Sequence, residues 1–144
     1  MTAARTRAAA VALTAAVALT PALALTAPAR AEDSGVAGFT AAQADHGAEV
    51  YRDNCSQCHG PHLDDGEFGP SLNGARFRRQ WGGNGAGGLF AYLRSAMPPT
   101  RTTVLRADEY ADVMAFLFRS NGAAAGDKPL PSDPEALSTL TIPK

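Results

Sequence analysis

Apolar and polar positions fall into distinct stretches along the chain. Residues 8–27 are almost unbroken Ala, Leu and Val. From residue 40 onward the pattern becomes amphipathic. Gly47, Tyr51 and Cys55 stand four apart and share one face of a helix. With Thr40 as N-cap, that spacing predicts a helix from Thr40 to about Asn54. Glycine inside a helix costs about 1 kcal/mol relative to alanine, so Gly47 asks for close approach by another helix. The clearest signal comes later. Tyr110, Val113, Met114, Leu117 and Phe118 recur at helical spacing and predict a helix from about Ala107 to Ser120, closed by Gly122. A shorter helix fits Leu89 to about Ala96, stopped by Pro98 and Pro99. Residues 60–88 are rich in Gly, Pro and Asn and read as loop, with one helical turn near Ala75–Gln80. Residues 123–144 carry Pro129, Pro131, Pro134 and Pro143 and are expected to be extended, packed on the domain or trailing from it. No alternating strand pattern competes, and no repeat is visible. The expectation is an all-α fold.

The apolar start changes the domain count. Arg5 and Arg7 precede it, Pro21 interrupts it, and Ala29-Arg30-Ala31 offers an A-x-A cleavage site before Glu32. This reads as a signal peptide cleaved after Ala31, in preference to an uncleaved membrane anchor. A lipid-modified anchor would need a cysteine at the cleavage site, and none stands there. The expected organisation is signal peptide 1–31, flexible leader 32–38, domain 39–122 and C-terminal extension 123–144. Removing residues 1–31 leaves 113 residues with ten basic and fourteen acidic side chains, a net charge of −4. That balance argues against nucleic acid as a partner. A domain of this size buries a limited apolar core, and a large flat cofactor at its centre would extend it.

The cysteines name that cofactor. The chain has two, in Cys55-Ser56-Gln57-Cys58-His59. C-x-x-C-H is the attachment signature of c-type haem. Two thiols at this spacing reach the two vinyl groups of one haem, and the adjacent imidazole becomes the proximal iron ligand. A C-x-x-C redox pair would want a thioredoxin-like βαβ context, which is lacking. A zinc site would need two more ligands at set spacings, and His46 and His62 do not supply them. A disulfide across so short a loop would be strained. Covalent haem attachment is extracytoplasmic chemistry, so motif and signal peptide agree on a periplasmic location.

The ligand opposite His59 decides between closed and open iron chemistry. Met97 is the strongest candidate. It follows a short helix, precedes Pro98-Pro99, and lies far enough beyond His59 for the chain to pass the haem edge. A thioether there closes the coordination sphere and raises the reduction potential. Met114 is the rival, but it sits on the apolar face of the last helix, where methionine usually fills core. His46 and His62 read as solvated surface residues.

The chain resembles class I cytochromes c over residues 39–144. The match is carried by FTAAQADHGAEVYRDNCSQCHG, FGPSLNGARFRRQWGG, LFAYLRSAMPPT and EYADVMAFLFRSNG. It is similar to the single-haem domains associated with periplasmic quinohaemoprotein and molybdenum dehydrogenases. The resemblance implies three to four helices wrapped around one covalently bound haem c with its iron. It implies Cys55 and Cys58 as attachment points and His59 and Met97 as axial ligands. It implies that the Pro70 carbonyl meets the second nitrogen of His59. Trp81, with Arg78 or Arg79, would lie near the propionates. Gly47 and Tyr51 would pack against Val113 and Phe116 where the first and last helices cross. The implied function is a periplasmic electron carrier, not an enzyme, taking electrons from a dehydrogenase toward a terminal oxidase or another cytochrome. The alternatives are a haem enzyme or gas sensor with a labile sixth ligand, and a fixed electron-transfer subunit of a dehydrogenase complex.

Other signals carry less. Gly83-Asn84-Gly85-Ala86-Gly87-Gly88 satisfies G-x-G-x-x-G, but no strand precedes it and no βαβ unit surrounds it. Asp64, Asp65 and Glu67 read as a solvated surface loop. Arg76, Arg78, Arg79 and Arg101 flank the loops expected near the haem edge. They suit docking to an acidic redox partner, neutralisation of propionates, or plain solubility.

Overall fold

The computed structural model describes residues 35–99 and 104–144. The expected signal peptide, the start of the leader and Arg101 lie outside the described residues. Six helices follow in order: α1 (Ala41–Asn54), α2 (Ser56–His59), α3 (Gly74–Trp81), α4 (Ala86–Ala96), α5 (Ala107–Ser120) and α6 (Pro134–Ser138). Among the described residues the only extended pairing is two isolated bridges, Val36 with Thr141 and Gly85 with Thr141. The all-α expectation holds.

The two long helices begin and end where their caps dictate. The Thr40 hydroxyl accepts from the Gln43 amide at 3.1 Å and starts α1. At α5, the Glu109 carboxylate accepts from the Arg106 amide at 2.8 Å, and Asp108 and Glu109 suit the positive end of the helix. Gly122, at φ +97°, turns the chain out after α5.

α1 and α5 cross at Gly47. A Cβ there would run into the Asp112 carbonyl, so only glycine permits the approach. One turn on, Tyr51 and Phe116 pack with ring centroids 5.2 Å apart. Ion pairs flank the crossing: Arg119 to Asp45 at 2.6 Å and His46 to Asp112 at 2.7 Å. His46 was expected to be merely solvated. It is exposed, but it is also a cross-helix partner, and the Asp112 hydrogen bond holds its pKa above the usual histidine value.

Four expectations need correction. Helix α4 begins three residues before Leu89, at Ala86, because the Ala86 amide is satisfied by the Leu140 carbonyl at 2.8 Å. The short element at Ala75–Gln80 is a full helix from Gly74 to Trp81, nailed down by Phe77 in the core. The flexible leader gives way at residue 35 to fixed chain. Ala37 is buried and donates to Thr141 at 2.7 Å, and Thr141 donates back to Gly35 at 2.7 Å.

Finally, the proline-rich extension is not simply extended. The Asp133 carboxylate accepts from the Ala136 amide at 2.8 Å and Pro134 opens α6, so one turn of helix forms and buries Leu137. Gly87 of α4 leaves the room for it, since a Cβ there would stand 3.2 Å from Ser138. The side chain of Gln43 clamps Leu130, donating to its carbonyl at 2.9 Å and accepting from its amide at 2.7 Å. Gly83, inside the G-x-G-x-x-G pattern, donates to the Ile142 carbonyl at 2.9 Å. The glycine run is the socket for the tail, and the Gly83 and Ala86 amides are spent on it.

Candidate functional site

Helix α1 stops one residue before the motif. The Cys55 amide donates to the Tyr51 carbonyl at 2.8 Å, and the Cys55 carbonyl then receives the amides of Cys58 at 3.1 Å and His59 at 3.0 Å. This single turn, α2, sets Cys58 and His59 one helical turn beyond Cys55. Both cysteines are half-buried and free of disulfide. Burial, reinforced by Cys58, pushes the Cys55 thiol up to about 11. A redox dithiol needs the opposite shift. Among the described residues no group of three or more His, Cys, Asp or Glu side chains is placed to hold a metal ion.

His59 is 7% exposed. Its Nδ1 lies 2.8 Å from the Pro70 carbonyl. A carbonyl only accepts, so Nδ1 carries a proton, and in the neutral ring Nε2 is the nitrogen left for a metal. The loop between them is drawn tightly under the ring. The Gly69 amide donates to the Cys58 carbonyl at 2.8 Å, and the Tyr51 hydroxyl donates to the Gly60 carbonyl at 2.7 Å. A Cβ on Gly69 would stand 2.6 Å from Cε1 of His59, and one on Gly66 would enter the backbone of Cys58 and His59.

The second ligand candidate sits at the end of α4. Met97 is its C-cap, with the amide donating to the Leu93 carbonyl at 2.9 Å. The Tyr110 hydroxyl, from α5, donates to the Met97 carbonyl at 2.8 Å. The Met97–Pro98 peptide is cis.

These segments line one cleft. Cys55, Cys58, His59 and Pro70 come from one side of the sequence, and Met97, Pro98 and Pro99 from another. Leu72, Phe77, Leu89, Leu93, Val113 and Leu117 supply an apolar lining. Trp81 and Tyr92 also line it and pack with their rings tilted and centroids 5.6 Å apart. The cleft is partly open to solvent, and its lining is mostly apolar, as the linings of cofactor cavities are. Two unpaired thiols and an adjacent imidazole beside an apolar slot fit a covalently attached haem.

Several residues lie elsewhere. Met114 is fully buried in the core and does not line the cleft. His62 is exposed, its amide donating to Asp65 at 2.9 Å. Arg78 and Arg79 are not among the cleft-lining residues and line a second groove with Gly82 and Lys144. Sequence reasoning missed the hydroxyls of Tyr51 and Tyr110, both read as packing residues. The available signal was a phenol in an apolar stripe, whose hydroxyl needs a partner once buried. It also missed Gly66 and Gly69, whose role depends on a loop closing back over the motif.

Residues 42–117, more than half of the chain, match the family described as cytochrome c oxidase, cbb3-type, subunit III. No curated protein and no solved structure matches the chain. The chain belongs to this family and is a monohaem class I c-type cytochrome, carrying covalent haem c with its iron on a C-x-x-C-H motif. Its domain transfers electrons through that haem.

Proposed function

We propose that the protein is a periplasmic electron carrier whose iron is closed on both faces, with Cys55 and Cys58 as the thioether attachments and His59 and Met97 as axial ligands. The observation that carries this reading is the meeting of His59 and Met97 on one apolar cleft while Met114 stays in the core. When bound, the haem supplies a one-electron Fe(II)/Fe(III) couple. The rest is the work of the chain. The Pro70 carbonyl holds the His59 proton on Nδ1 and so aims Nε2. Tyr110 fixes the backbone from which the Met97 thioether projects. The apolar lining excludes water, and Trp81 with Tyr92 forms part of the wall. Residues 1–31 would direct export and be removed after Ala31. Among the described residues no helix is long and apolar enough to cross a membrane.

The donor in this reading is a periplasmic dehydrogenase and the acceptor a terminal oxidase or another cytochrome. The family's name, an oxidase subunit, supports an oxidase on the acceptor side. It also favours a second reading, a fixed subunit of a respiratory complex in place of a diffusing carrier. Purification of the native protein with or without a larger enzyme separates the two. The closed-iron reading is tested by optical spectra of the reduced protein with and without carbon monoxide. The wild type should be unchanged by carbon monoxide and Met97→Ala should bind it. Ready binding by the wild type would make the open-site haem enzyme or sensor the better account.

A further inference from the structure

The arginines of this chain are not distributed like its acids. Residues 68–107 contain six arginines and no aspartate or glutamate, within a chain of formal net charge −1. The structure sharpens the contrast. Arg52, Arg106 and Arg119 each sit against a carboxylate. Arg76, Arg78 and Arg79, all exposed on α3, have no ion-pair partner among the described residues. Arg78 and Arg79, in the last turn of α3, suit the helix dipole, but stability does not account for Arg76. Arg76 and Arg79 are three apart on one helix and repel, and Arg76 stands in the first turn, where the helix dipole disfavours a cation. No acid in the first turn of α3 offsets this. Arg78 and Arg79 instead line an open groove with Lys144, whose side chain lies against Gly83. The same helix walls the cleft through Phe77, Gln80 and Trp81.

We propose that α3 and Lys144 form the docking face for an acidic surface on the protein that exchanges electrons with this one. This rests on the electron-carrier reading above. A protein surface is favoured because an occupant of α3 lies next to the cleft wall, where a second redox centre has to come. Unpaired cations there complement a carboxylate-rich patch and speed encounter at low salt.

The test uses the haem-loaded full chain and two kinds of probe. The reduced protein gives one electron to hexacyanoferrate(III), forming hexacyanoferrate(II), or to tris(phenanthroline)cobalt(III), forming the cobalt(II) complex. At low salt, Arg78→Glu/Arg79→Glu should react about tenfold more slowly with the anionic oxidant and faster with the cationic one, with Arg78→Gln/Arg79→Gln between. High salt should erase the differences. Arg52→Glu/Lys128→Glu, with the same net charge, should differ little from wild type. In NMR titrations of the reduced protein, poly-glutamate should shift the amides of residues 75–82 and Lys144, and the double glutamate variant should lose the effect. The proposal is overturned if the two double-glutamate variants behave alike, or if poly-glutamate shifts other surfaces. It is also overturned if phosphatidylglycerol vesicles bind through α3 more tightly than poly-glutamate does, which would make this a membrane face. A wild type that reacts with neither complex would remove the electron-carrier reading itself, and the docking face with it.

Discussion

The two walls of the cleft hold their ligand candidates in different ways. His59 is fixed from every side the chain can reach. The Cys55 carbonyl takes its amide, Pro70 takes its Nδ1 proton, and Gly69 presses backbone against its ring. Met97 hangs on two described bonds, its amide to Leu93 within α4 and its carbonyl to Tyr110 across from α5. The first arrangement is local, built from residues 55–70. The second depends on Tyr110, thirteen residues further along on α5. The lesson is that His59 is over-determined, and Met97 is only as rigid as its described cross-helix bond.

The largest expected break comes from Gly69→Ala. The new methyl would collide with a buried ring backed by its own loop, and overpacking of this kind costs about 1–3 kcal/mol. Denaturant unfolding of the loaded protein should show that loss, together with altered optical spectra from a displaced His59. Next come two matched hydroxyl deletions. Tyr51→Phe and Tyr110→Phe each remove one hydrogen bond to a carbonyl, worth about 1 kcal/mol of stability. Their spectra should separate them. Tyr51→Phe should leave the iron bands in place, because Gly60 is one of several anchors for the His59 loop. Tyr110→Phe should weaken the ferric iron–thioether band and lower the reduction potential, because it loosens Met97. Equal spectra for the two would dissolve the distinction between the walls.

The smallest effect lies at the α1–α5 crossing, away from both walls. His46 has its pKa raised above 6.5 by the hydrogen bond to Asp112. The folded form binds the proton more tightly, so this contribution is complete below pH 6.5 and fades as pH rises through the folded value. The pair is exposed, and the loss should be about 0.5 kcal/mol or less. His46→Gln should flatten that part of the stability–pH profile without touching the iron spectra.

The same contrast explains what could be read from the chain. α1, α5 and the C-x-x-C-H turn were legible because their signals are local: a cap, a periodicity, a five-residue motif. Gly47 was readable as a crossing point because a glycine in a helix has few other uses. The Met97 candidate was readable from its prolines. Its Tyr110 anchor was not, since nothing local ties residue 110 to residue 97. The tail failed for a related reason. Prolines at 129, 131 and 134 argue against helix one at a time, yet Asp133-Pro134 is a good helix start, and α6 persists because Leu137 finds a slot beside Gly87. Which face of α3 Arg78 and Arg79 occupy was not legible, because neighbourhood in sequence to Trp81 does not say which side of the helix faces the cleft.

The most direct test of the two-wall account is a urea titration of the ferric, haem-loaded protein that follows the iron–thioether band and the helix signal together. The account predicts that the band disappears at lower urea than the helices, and that Tyr110→Phe widens the gap while Tyr51→Phe does not. A single coincident transition in the wild type, unchanged in separation by Tyr110→Phe, would contradict it.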